Sequence, residues 1–153
     1  MLVANALQAE PPLGWIRTFR TDEGEFTGTL DLKTHGTRIF VDAARAFALA
    51  LGLGETNTSQ RIRMAGRRLN RDEREITASV DAYHFLQLLR LRAQRGGLDV
   101  APDDSGGQGT ERSRHGQNRL DPYALNEIDQ RMLREAFRQA RALQTHLAQV
   151  VGH

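Results

Sequence analysis

The groups best placed to do chemistry lie in Leu30-Asp31-Leu32-Lys33-Thr34-His35-Gly36, followed closely by Val41-Asp42-Ala43-Ala44-Arg45. The pattern is a strand end and a glycine turn feeding a helix. A lysine at such a turn can meet a phosphate as a point charge, and the helix N-terminus adds backbone N–H donors. Asp42 and Arg45, three apart, share a side of the helix and can pair. The same spacing also fits a solvated turn beside an ordinary Asp–Arg pair, and it is not a Walker loop. From spacing alone both readings stand. Lys33 is the single lysine among 21 basic residues, so the other twenty are arginine. Arginine stays charged far above neutrality, which lifts the pI to about 9.6 although the net charge is only +2. A chain that holds nucleic acid by its field carries a clear charge excess, so this composition argues against nucleic acid as a partner.

Other candidate groups have simpler readings. Arg61, Arg63, Arg67, Arg68, Arg71 and Arg74 form a cluster that lacks interleaved aromatics and is diluted by Asp72, Glu73 and Glu75, as a solvated helical face would be. Arg141 and His146 have a spacing used by some helical ribonucleases, but five residues is about 140° around a helix, so the side chains diverge. The five histidines show no ligand spacing and there is no cysteine, so no metal site is expected. His84 reads as a hydrogen-bonded histidine at the core edge, and Trp15 as the side chain that seals the front segment onto the rest. Asp22-Glu23 and Asp103-Asp104 sit in glycine-rich surroundings and read as solvated turns.

These groups need elements to position them. Residues 1–36 form an irregular front, with a turn or two of helix at 2–8 ended by Pro11-Pro12. A short strand follows within 27–33, its mate sought near 16–20 or outside the chain. Gly36 breaks that segment. A helix then runs to about Leu53, stopped by Gly52 and Gly54. Asn57 or Thr58 caps a second helix to Leu69. Asn70 caps a third, to about Arg95, whose apolar residues cover much of its circumference and make it the central helix. Residues 97–120 read as a flexible loop, and Asn126 caps a last helix carrying an apolar stripe from Leu125 to Val150. The expected fold is mainly α, a single-domain bundle of about four helices (37–95 and 126–151) with a small N-terminal β element.

This pattern resembles the nucleotidyltransferase substrate-binding domain family, the C-terminal helical part of bacterial signalling proteins similar to PII-uridylyltransferase and often joined to CBS or cyclic-nucleotide-binding domains. The resemblance spans about Pro12 to Leu147. It rests on Pro12-Leu13-Gly14 with Trp15, Leu30-Asp31-Leu32-Lys33 with Gly36, and Val41-Asp42-Ala43-Ala44-Arg45 with Ala48-Leu49. Thr56-Asn57-Thr58 with Arg61, Arg90-Leu91-Arg92 with Gln94, and the last helix complete it.

The resemblance implies a domain that closes one side of the nucleotide cleft of a polymerase-β-like catalytic domain. It points to Asp31, Lys33, Gly36, Asp42, Arg45 and Arg61 as nucleotide- or substrate-binding residues. Lys33 would contact phosphate, Asp31 and Arg45 would orient it, and Asp42 would pair with Arg45 or a substrate group. Arg61 would tie its helix to the preceding loop.

The Gly-Ser turn and paired aspartates that hold metal for nucleotidyl transfer are missing, so the chain alone is not expected to catalyse transfer. Mg2+ and NTP are expected with a catalytic domain or subunit on the N-terminal side. A homodimer and a docking role without nucleotide contact are the alternatives. At 153 residues, without cysteine, export signal or a long apolar run, a cytoplasmic location is expected.

Overall fold

The computed structural model describes residues 1–14, 18–21, 23, 28–96 and 118–152. Trp15, Asp22, Asp103 and Asp104 lie outside these, as does most of the expected loop. Among the described residues there are five α-helices, one more than the four or so expected: α1 (Leu2–Gln8), α2 (Arg38–Leu51), α3 (Thr58–Arg68), α4 (Glu73–Gly96) and α5 (Glu127–Val151). Two short strands, β1 (Leu30–Asp31) and β2 (Arg119–Leu120), pair antiparallel with Leu30 opposite Leu120 and Asp31 opposite Arg119.

The mate of β1 is therefore in this chain, just before α5, and not near residues 16–20. Phe19 instead bridges Leu13. Leu30 and Leu32 are fully buried and Leu120 lies under the same layer, which is why this pairing is worth making.

α2 is the central helix, not α4. It packs against α1, α3 and α5, and buries Ile39, Phe40, Ala43, Ala44, Ala46, Phe47 and Ala48. Its small residues let neighbours approach from several sides. α4 buries Val80, Leu86 and Leu89 but leaves Leu88 and Leu91 45% and 55% exposed. The stripe on α5 likewise begins at Leu133, and Ile128 and Met132 face outward.

Glycine and asparagine punctuate the helices. Gly52 takes φ 64° after α2, with Leu53 N–H on the Ala48 carbonyl at 2.8 Å. Asn70 takes φ 54° after α3, and Arg71 N–H reaches the Gly66 carbonyl at 2.9 Å. Asn70 thus ends α3 in the left-handed conformation rather than capping α4. Asp72 fills the expected role, accepting from Arg74 N–H at 2.7 Å. Asn57 caps α3 through Gln60 N–H and Asn126 caps α5 through Asp129 N–H.

The front segment is held by Phe19 and Gln144. Phe19 meets the Tyr123 and Phe137 rings edge-on, at 5.4 and 6.3 Å, with the Arg134 guanidinium 4.8 Å above it. Buried Gln144 donates to the Ala6 carbonyl at 2.7 Å and to that of Ala9, closing the end of α1.

Candidate functional site

Asp31, Lys33 and Gly36 fall on one turn, but the turn is not a glycine break. Lys33–Thr37 form a single π-helical turn that runs into α2, with Thr37 N–H on the Leu32 carbonyl at 2.9 Å. Gly36 is buried, and a Cβ there would lie 3.6 Å from the Leu86 methyls of α4, an ordinary contact. The turn therefore does not depend on glycine at this position to pack on α4.

The Asp31 carboxylate is spent on its own turn. It accepts from Lys33 N–H (2.9 Å), Thr34 N–H (3.1 Å) and the Thr34 hydroxyl (3.1 Å). It shapes the backbone that carries Lys33 rather than the ammonium itself. The Lys33 side chain is exposed, with no hydrogen bond or ion pair among the described residues.

The inner side of the turn is fixed by a polar cluster. Arg90 of α4 donates from Nη1 to the Thr37 hydroxyl at 3.1 Å and from Nε to the Asn118 side-chain oxygen at 3.0 Å. Gln94, one turn further along α4, reaches the same Asn118 oxygen at 3.3 Å, and Asn118 accepts Leu32 N–H on its own carbonyl at 2.9 Å. Thr37 is 4% exposed, so its hydroxyl needs this partner. Arg90 and Gln94 belong to the pattern Arg90-Leu91-Arg92 with Gln94, yet spacing gave them no role. Their i,i+4 relation was the available signal; Asn118 had none, because its position depends on a strand pairing between distant residues.

Asp42 pairs with Arg38 at 3.3 Å, four residues earlier, and not with Arg45. The i,i+4 geometry wins over i,i+3 here, and it leaves the Arg45 guanidinium exposed and without a bond among the described residues. Arg38, Asp42 and Arg45 share one face of α2, and Arg38 directly follows the Lys33 turn. Arg61 is engaged elsewhere: its Nε donates to the Glu55 carbonyl at 2.6 Å, tying α3 to the loop before it as its position suggested.

The remaining candidates separate. In the arginine cluster, Arg67 forms two bonds to Glu73, at 2.8 and 3.4 Å. The ion pair lowers the Glu73 carboxyl and raises Arg67, chiefly through that hydrogen bond. Arg141 reaches the Leu13 carbonyl at 3.3 Å while His146 faces α3 and α4, so the two diverge. His84 bonds Ser59 at 2.8 Å, although it is exposed rather than core-edge. Among the described residues no group of three or more His, Asp or Glu side chains could hold a metal ion, and no helix is long and apolar enough to cross a membrane.

Among the described residues the Lys33 side chain is exposed without a bond, and Arg38 and Arg45 follow it on one face of α2. A family model described as "putative nucleotidyltransferase substrate binding domain" matches residues 1–151. The chain belongs to this family. Among curated proteins and among solved structures nothing matches significantly.

Proposed function

We propose that this domain presents Lys33 to the phosphates of a nucleotide held by a linked polymerase-β-like catalytic domain, closing one side of that cleft. The observation that carries the reading is the pairing of an exposed, unengaged ammonium with a backbone fixed on both sides, by Asp31 outside and by Arg90, Thr37 and Asn118 within. A pre-positioned cation offsets charge on a transferring phosphoryl group without reorganising during the reaction. Arg38 and Arg45 add positive charge on the adjoining face of α2, and Asp42 holds Arg38 in place. Gly36 lies on the buried side of the turn against α4, and Arg61 contributes the stability of the α2–α3 connection.

Mg2+ belongs with the catalytic domain in this reading. The donor set near Lys33 does not fit a metal, because the Asp31 carboxylate is saturated by its own turn and Asp42 is paired with Arg38. The reading carries a cytoplasmic location with it, where nucleoside triphosphates are at hand. The nearest test is a titration of the labelled domain with Mg–ATP and Mg–UTP, followed by NMR. The expected result is selective movement of the Lys33–Thr37 amides. Shifts confined to other surfaces would defeat the proposal.

A specific observation favours a second reading as a docking or dimerisation module. Arg92 pairs with Asp129, and Ser79 with Gln139, which sets α4 and α5 antiparallel. Exposed Leu88 and Leu91 of α4 then lie level with exposed Met132 and Ile128 of α5, four large apolar side chains open to a partner. Sedimentation of the isolated domain separates the two: a stable dimer lost on Leu91→Asp, with no nucleotide shifts, supports docking.

A further inference from the structure

At the other end of α2 and α4 from the Lys33 turn, a cavity of about 210 Å³ opens between α2, α3, α4 and α5. Its floor is apolar, including Phe47, Ile62 and Leu143, and its rim carries Arg71, Glu75 and His146. A sealed apolar cavity of roughly 150 Å³ is enough for benzene, so this space suits one ring or a short branched chain. The rim decides the polar end of such a ligand. Among the described residues Arg71 makes only long side-chain contacts, 3.5 Å to Gln149 and 3.9 Å to Glu75, so most of its guanidinium donors are available to a ligand. The Glu75 side chain is 58% exposed and can swing to solvent.

His146 lines the cavity with no hydrogen bond to its ring among the described residues. Burial, with help from the Arg71 charge and against that of Glu75, pushes its imidazole below the ordinary value, so at neutral pH it is an uncharged donor or acceptor. Ser79 and Gln139 already satisfy each other at 3.3 Å on the cavity wall. The space thus combines an apolar body site, a weakly engaged guanidinium and an unpartnered imidazole.

We propose that this cavity is a binding site for a small carboxylate with a single-ring or branched apolar body, its carboxylate on Arg71 and His146. The site is separate from the Lys33 turn and does not depend on the nucleotide reading. Because the cavity is walled by four helices, occupation would stiffen their packing, which is how a small metabolite could bias the domain.

The test uses three probes of matched shape on the whole domain, read by NMR titration and calorimetry: 4-methylbenzoate, toluene and 4-methylbenzylamine. The expected result is saturable binding of 4-methylbenzoate, with shifts at Leu69, Ser79, Ala142 and His146. Toluene and the amine should bind at least about tenfold more weakly, the value of one charge-assisted contact. Arg71→Gln should bring the acid down to the level of toluene. Ala142→Phe, at a half-buried wall position, should fill the space and abolish binding by all three. Equal affinity for toluene and the acid would reduce the site to a packing void. Preference for the amine would assign the rim to Glu75. No saturable binding by any probe, or shifts at other surfaces, would overturn the proposal outright.

Discussion

Lys33 and the residues beside it show how the backbone under one side chain can be fixed by groups that never touch that side chain. Asp31 binds the backbone of Lys33, not its ammonium, and leaves the charge free to face outward. Lys33→Arg is therefore an informative change. A phosphate that needs only charge accepts either cation, whereas a cramped site needs the compact ammonium. The Lys33 side chain is exposed rather than enclosed among the described residues, so Arg should retain folding and most nucleotide turnover, as steady-state assays of the full protein would show.

His146 gives a second residue-level outcome. Its folded pKa lies below the ordinary 6.5, because burial disfavours the charged ring. The unfolded chain then binds more protons near that pH. The neutral ring contributes stability that is fully present above about pH 6.5 and is lost as pH falls through the folded value. His146→Gln should flatten this part of the acid-side loss, measurable as melting temperature between about pH 7.5 and pH 5.

At the scale of elements, the sequence was most legible where a local signal decides the outcome. The Asn57 and Asn126 caps, the Gly52 stop and the tie between Arg61 and its loop all depend on residues a few positions apart. It was least legible where distant segments meet. A two-residue strand has no periodicity to read, so β2 could not be seen beside β1, and Asn118 with it. Asn70 was ambiguous because asparagine serves both as an N-cap and as a left-handed helix end.

Two changes probe these junctions. Arg90→Ala removes the donor to buried Thr37 and to Asn118, and should cost about 1–3 kcal/mol in chemical denaturation. Gly66→Ala would place a Cβ 2.5–2.7 Å from Ile76 across the α3–α4 crossing. The Ile76 side chain must move or the helices must separate, so a loss of roughly 1–3 kcal/mol is expected. Gly36→Ala, with its Cβ at 3.6 Å from Leu86, should by contrast fold nearly as well as the parent.

For the whole molecule, the helical class followed from apolar spacing, but the identity of the central helix did not. α4 is longer and carries more large apolar side chains in total, while α2 is the more apolar helix residue for residue and is rich in alanine. Centrality went to the helix whose small residues admit neighbours on several sides, which a count of large apolar residues does not register. The apolar periodicity of α4 and α5 includes Leu88, Leu91, Ile128 and Met132, yet these four face outward. Incubating the domain alone with NTP and Mg2+ should release no pyrophosphate, since it is read here as a partner to a catalytic domain. Release well above a heat-denatured control would contradict that.

The most direct test of the central claim is nucleotide affinity and turnover of the full protein, this domain together with its catalytic domain, carrying Lys33→Ala. Lys33 is exposed, so folding should be unaffected, and the melting temperature is the control. An unchanged melting temperature with a loss of about tenfold or more in kcat/KM is expected, the value of one charged contact to phosphate. Unchanged affinity and turnover in a folded variant would contradict it.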